Sequence, residues 1–77
     1  MSVTFDDISA AAERLRGVIK TTPVISDDKL TARLGVPAFL KAECLQVAGS
    51  FKVRGAFNKI SQLSDDEKRR GVIAASA

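Results

Sequence analysis

Gly71-Val72-Ile73-Ala74-Ala75, near the end of the chain, is the stretch that most narrows what this sequence can fold into. A short apolar run without polar alternation reads as a strand buried on both faces, and such strands belong to parallel sheets. Parallel neighbours need a crossover between them, usually a helix, so the preceding residues have to supply helices between strands. Both faces of a parallel sheet must then be covered. A chain of 77 residues that stops at Ala77, directly behind this run, holds too little material for that cover. The expectation is an α/β segment, residues 1–77 being a fragment of a larger domain rather than a small complete one.

Upstream signals agree with that rhythm. Thr4 followed by Asp7 predicts a capping box, and Phe5, Ile8, Ala12, Leu15 and Ile19 recur at helical spacing behind it. That helix has to stop between Gly17 and Thr21, because Pro23 disfavours the α conformation at Thr22. Pro23-Val24-Ile25 reads as extended. Ser26 is placed to cap a second helix, with Asp27 and Asp28 favourable at its positive end and Gly35 closing it. Residues 38–43 predict a strand. Gly49 and Ser50 precede a helix whose apolar positions, Val53, Ala56, Phe57, Ile60 and Leu63, form one stripe for burial. Ser64 with Glu67 is a second capping box, and Lys68-Arg69-Arg70-Gly71 is the matching stop signal.

Composition removes several chemistries. There is no histidine, which excludes Ser-His and Cys-His dyads, and the single cysteine, Cys44, provides neither an intrachain disulfide nor a cysteine-rich metal centre. Cys44 reads as a small buried residue. No metal site is expected. Twelve Lys and Arg against nine Asp and Glu give a net charge of +3, yet the cations are scattered and Trp and Tyr are absent. A nucleic-acid surface clusters its cations and adds aromatic platforms, so no nucleic-acid partner is expected. No apolar run approaches the ~18 residues of a membrane span. The N-terminus lacks the basic and apolar blocks of a signal peptide, which makes the cytoplasm the expected location.

Chemistry is therefore left to Lys, Arg, Ser, Asp, Glu or a cofactor, and one lysine is unusually placed. Lys52 falls in the first turn of the best-defined helix, two residues after the expected N-cap. A cation there opposes the helix dipole, which favours the neutral amine that Schiff-base chemistry needs. Gly49, Gly55 and Ala56 leave room for a flat ligand, and Phe51 offers an aromatic surface. Solvated lysines are also ordinary on amphipathic helices, and these residues taken alone leave both readings open.

Leu45-Gln46-Val47-Ala48-Gly49-Ser50-Phe51-Lys52-Val53-Arg54-Gly55-Ala56-Phe57-Asn58 resembles the lysine motif of the fold-type II pyridoxal-phosphate enzymes, and within them the threonine/serine dehydratases and the related serine racemases. The resemblance extends over essentially the whole chain. Thr22-Pro23-Val24 is similar to the Thr-Pro step after the first helix, and Lys41-Ala42-Glu43 to the Lys-x-Glu strand before the motif. The closing strand from Gly71 is similar to the one that leads, in the family, into a Gly-Asn-His loop.

The resemblance implies a tryptophan-synthase-β-like fold with a parallel sheet and flanking helices, and pyridoxal phosphate as cofactor. It implies that Lys52 is the Schiff-base lysine and the base at Cα, and that Phe51 packs on the cofactor ring. Ser50 and Gly49 belong to the motif without a chemical step. Arg54 either orients the motif through hydrogen bonds or meets ligand, and Gln46 and Asn58 are structural. The implied reaction is β-elimination of water from L-threonine or L-serine, giving a 2-oxo acid and ammonia, by a homo-oligomeric enzyme acting on a small amino acid.

Departures from the family pattern also carry expectations. Nucleotide-activated relatives carry Lys-Thr where this chain has Val47-Ala48, and serines near Asp27-Asp28, which argues against nucleotide activation. Racemases of this kind carry a serine at the end of the closing strand, where Ala77 stands, to return a proton from the second face. Ala77 has no such proton, so elimination rather than racemisation is expected, although a one-residue shift would place Ser76 there. The family's phosphate cradle lies beyond Ala77. The rival readings are serine racemase, threonine synthase or cysteine synthase on the same scaffold, and a fragment with no activity of its own.

Overall fold

The computed structural model describes residues 2–76. Helix α1 (Phe5–Leu15) leads to strand β1 (Val24–Ser26), helix α2 (Asp28–Leu34) and strand β2 (Phe39–Lys41). Two short 3₁₀ turns, Glu43–Leu45 and Val47–Gly49, then deliver the chain to α3 (Lys52–Ser61) and α4 (Asp65–Arg70).

Local chemistry sets most helix ends. Both capping boxes form: Asp7 N–H donates to Thr4 Oγ1 at 3.2 Å while Thr4 N–H donates to Asp7 Oδ2 at 2.8 Å. Ser64 and Glu67 repeat the exchange at 3.1 and 2.9 Å. The cap of α2 is Asp27 rather than Ser26. Ser26 is committed to the ladder opposite Phe39, so the carboxylate one residue on accepts the Leu30 N–H at 2.8 Å. Gly35 ends α2 in the left-handed conformation, φ 74°, as its position required.

The sheet departs from expectation. β1 and β2 pair antiparallel, Val24 opposite Lys41 and Ile25 opposite Leu40, and this is the sole strand pairing among the described residues. The parallel sheet with flanking helices is not formed by them. The expected closing strand is likewise absent: residues 72–75 have no regular structure, and Ile73 is 99% exposed. A central strand exists only when a neighbour takes up its backbone groups, and among the described residues none lies beside this one. Ala77, on which the racemase argument turned, lies outside the described residues.

Burial is correspondingly thin. Leu15 and Ala38 are the buried apolar residues, joined by polar Thr22 and Gln46. α1 lies against α3, yet the α3 stripe is only half covered, with Phe57 and Ile60 exposed. All four phenylalanines, Phe5, Phe39, Phe51 and Phe57, are exposed. The radius of gyration is 16.4 Å. A compact unit of this length would have about 11.5 Å by the usual scaling. The segment is therefore extended, with its apolar faces open. No helix among the described residues is long and apolar enough to cross a membrane.

Candidate functional site

The approach to α3 is a sharply turned backbone. Ala48 (φ 66°) and Gly49 (φ 75°) both adopt the left-handed conformation, and the Gly49 N–H closes on the Gln46 carbonyl at 2.8 Å. For Gly49 this conformation carries no steric penalty, whereas for Ala48 it is a strained choice. The turn drops the chain into extended Ser50 (φ −158°, ψ 173°), and the helical angles begin at Phe51 (φ −69°, ψ −12°). Ser50 Oγ accepts the Lys52 N–H at 3.3 Å, the contact an N-cap makes with the second helical residue. Lys52 thus stands in the first turn, as its sequence position indicates.

Lys52 and Phe51 meet at the surface. The Lys52 Nζ lies 5.3 Å from the Phe51 ring centroid, within cation–π range. Together with Arg54, Gly55 and Ala56 they line an open depression of about 410 Å³. Gly55 and Ala56 supply its width, because neither projects more than a methyl group. The Arg54 head is engaged by Glu43.

That engagement is the part the sequence did not reveal. Arg54 forks onto Glu43: Nε donates to Oε2 at 2.7 Å and Nη2 to Oε1 at 3.0 Å. The Thr22 hydroxyl donates to the same Oε1 at 2.7 Å, and Lys41 Nζ stands 3.9 Å from it. Beside this cluster the buried Gln46 amide grips one backbone residue from both sides, accepting the Lys20 N–H at 2.8 Å and donating to its carbonyl at 2.9 Å. Segments around residues 20, 43 and 54 are thereby joined. Gln46 is structural, as expected. Asn58 accepts from Arg14 Nη1 at 3.0 Å and ties α3 to α1. The signal that could have located the cluster was chemical complementarity: the matched steps at Thr22, Glu43 and Arg54 supply a hydroxyl, a carboxylate and a guanidinium. Cys44 is exposed, not buried, since the turn gives its inner positions to Glu43 and Gln46.

The Arg54 hydrogen bonds, and after them the Thr22 hydroxyl, hold the Glu43 carboxyl down to a pKa of about 2. A carboxylate depressed below its ordinary 4.5 gives stability that is complete above that pH and lost only as pH falls through about 2. Carbon NMR of the Glu43 carboxyl in the complete protein should therefore show no protonation between about pH 5 and pH 3. A midpoint near 4.5 would mean that the fork does not persist in solution.

A family described as pyridoxal-phosphate dependent enzymes matches residues 15–77. The chain belongs to that family. Pyridoxal phosphate is the cofactor membership brings, and the residues suit its attachment end: a primary amine in a helix's first turn, an aromatic ring beside it and small residues below. Among similar proteins, the catabolic L-threonine dehydratase TdcB of Escherichia coli K12 is 48% identical over all 77 residues, which are 23% of its length. The L-threonine ammonia-lyase of Thermotoga maritima is 45% identical over 75 residues, 97% of this chain and 19% of that protein. An L-threo-3-hydroxyaspartate ammonia-lyase of Pseudomonas sp. is 43% identical over 74 residues, 96% of this chain and 23% of its own. The chain thus spans between 19% and 23% of the length of these pyridoxal-phosphate family relatives. No solved structure matches it.

Proposed function

We propose that residues 1–77 are the N-terminal segment of a pyridoxal-phosphate-dependent threonine/serine dehydratase, with Lys52 as its cofactor-binding lysine. The observation that carries this reading is Lys52 itself: an exposed amine in the first turn of α3, beside Phe51, on a segment similar throughout to threonine dehydratases. When bound, pyridoxal phosphate supplies an electron sink for the charge left at Cα. Lys52 holds the cofactor and moves the Cα proton, Phe51 packs on one ring face, and Gly55 and Ala56 keep the floor open. Loss of the Cα proton and the β-hydroxyl removes one water from the amino acid. The released enamine then takes up one water and yields the 2-oxo acid and ammonia.

In this reading residues 72–75 enter a parallel sheet with flanking helices, completed by chain outside this segment, and the exposed apolar run supports that assignment. The open side chains Phe5, Val24, Ile25, Phe39 and Leu40 give area both to the rest of the chain and to a second subunit. A homo-oligomeric cytoplasmic enzyme, with a small amino acid as substrate and neither nucleic acid nor membrane as partner, completes the proposal.

The test is an assay of the complete enzyme with L-threonine, L-serine and L-threo-3-hydroxyaspartate, following 2-oxo acid and ammonia together. Equal amounts of 2-oxobutyrate and ammonia from L-threonine are expected. Turnover confined to hydroxyaspartate would favour the activity named for the Pseudomonas relative. D-serine forming as fast as pyruvate, by chiral chromatography, would overturn elimination in favour of racemisation.

A further inference from the structure

We infer that Thr22, Glu43 and Arg54 are positioning residues that set the direction in which Lys52 presents its amine. The inference rests on the assignment of Lys52 above. It starts from helix geometry. Residues on an α-helix advance by about 100° each, so Lys52 and Arg54 diverge by roughly 200° around the α3 axis. Holding the Arg54 head therefore fixes the rotation of the first turn, and with it the bearing of Lys52.

The hold is of the restrictive kind. A bidentate guanidinium–carboxylate pair fixes orientation as well as distance, because both groups are planar. Glu43 cannot turn to follow the helix, since the Thr22 hydroxyl donates to it from a segment 21 residues earlier in the chain. Thr22 is buried at 4% exposure, and the Glu43 side chain keeps only 17%. Gln46, through its two bonds to the Lys20 backbone, keeps the 20–22 segment in place beside Glu43. One turn after Arg54 on the same face, Asn58 is held by Arg14. α3 is thus pinned at two successive turns along the Arg54–Asn58 row, and its first turn carries Lys52. Exposed pairs such as Arg16–Glu13 have none of this support and orient nothing beyond themselves.

The test uses the complete enzyme with Glu43→Gln, Arg54→Lys, Thr22→Val and Thr22→Ser, and Arg16→Ala as a surface control. Apo-protein is mixed with pyridoxal phosphate, trapped with borohydride at intervals, and the label on Lys52 is followed by mass spectrometry. Hydrogen exchange is measured over residues 50–56. Misplacing a reacting group by about 1 Å costs on the order of 100-fold. Labelling and kcat are therefore expected to fall about 10- to 100-fold in the first three variants, with KM within about twofold. Exchange over residues 50–56 should accelerate, while Thr22→Ser and Arg16→Ala behave as wild type. If Glu43→Gln does not fold, Thr22→Val decides, since it removes one hydroxyl at nearly constant volume. A lowered thermal midpoint with unchanged labelling in the folded variants would reduce the cluster to a stabilising role and overturn the inference. Wild-type label on a lysine other than Lys52 would overturn the parent assignment instead, so the two failures are distinct.

Discussion

Lys52→Ala in the complete enzyme should abolish covalent attachment of pyridoxal phosphate and reduce turnover by at least about 10³-fold. On the proposed assignment, one substitution removes both the amine that attaches the cofactor and the group that moves the Cα proton. Proton transfer by a positioned side chain alone accounts for roughly 10²–10⁴ in rate. The two lysines nearest in sequence sit elsewhere on the chain. Lys41 lies on β2 beside Glu43, and Lys59 belongs to the last turn of α3. Lys52→Arg should be equally inert, because a guanidinium stays protonated and does not form the linkage. Borohydride reduction followed by peptide mapping is the check. The pyridoxyl group is expected on Lys52 in the wild type and nowhere in the alanine variant, and its recovery on Lys41 or Lys59 would end the assignment.

The 77-residue chain by itself should show neither cooperative unfolding nor dehydratase activity. Among the described residues Leu15 and Ala38 are the buried apolar ones, while Phe5, Val24, Phe39, Phe51 and Ile73 stay open to solvent. Ordering the backbone costs on the order of 1–2 kcal/mol per residue, and burial on this scale does not offset it. Capping boxes at Thr4 and Ser64 define where helices begin, yet isolated helices as short as α1 and α4 are marginal in water. Circular dichroism should report partial helix that melts gradually in urea, without a sigmoidal transition. Incubated with pyridoxal phosphate and L-threonine, the chain should release no 2-oxobutyrate above that from the free cofactor. A sharp two-state transition, or turnover attributable to the chain, would contradict the burial argument.

What the sequence disclosed and what it withheld divide along chain separation. Thr4 with Asp7, Ser64 with Glu67, and the stops at Gly35 and Gly71 were legible because each is decided within one helical turn. Ser26 was misread as a cap by one position, because its place in the ladder opposite Phe39 depends on a strand arriving from thirteen residues downstream. The run at residues 72–75 was read correctly as apolar, but within this segment it forms no strand. Hydrophobicity states what a segment requires, not whether the partner is at hand. At the site, the junction of Ser50, Phe51 and Lys52 was readable from the motif. The joining of Thr22, Glu43 and Arg54 was not, since it links residues 21 and 11 positions apart through side chains that no local period connects.

The left-handed backbone at Ala48 sets a condition on how this segment can drift in sequence. Glycine, and to a lesser degree asparagine or aspartate, enters such a conformation readily, whereas a β-branched residue clashes with its own carbonyl and costs on the order of 1–2 kcal/mol or more. Relatives that carry threonine at this position would meet that cost here, so position 48 is strained without being closed to branching, and the turn around it has to absorb the difference. A residue bearing one methyl group, four places before Lys52, thus limits the segment through its backbone conformation. Its neighbourhood inherits the same constraint, because a turn that reverses hand at the wrong residue would deliver Ser50, and everything after it, along a different path.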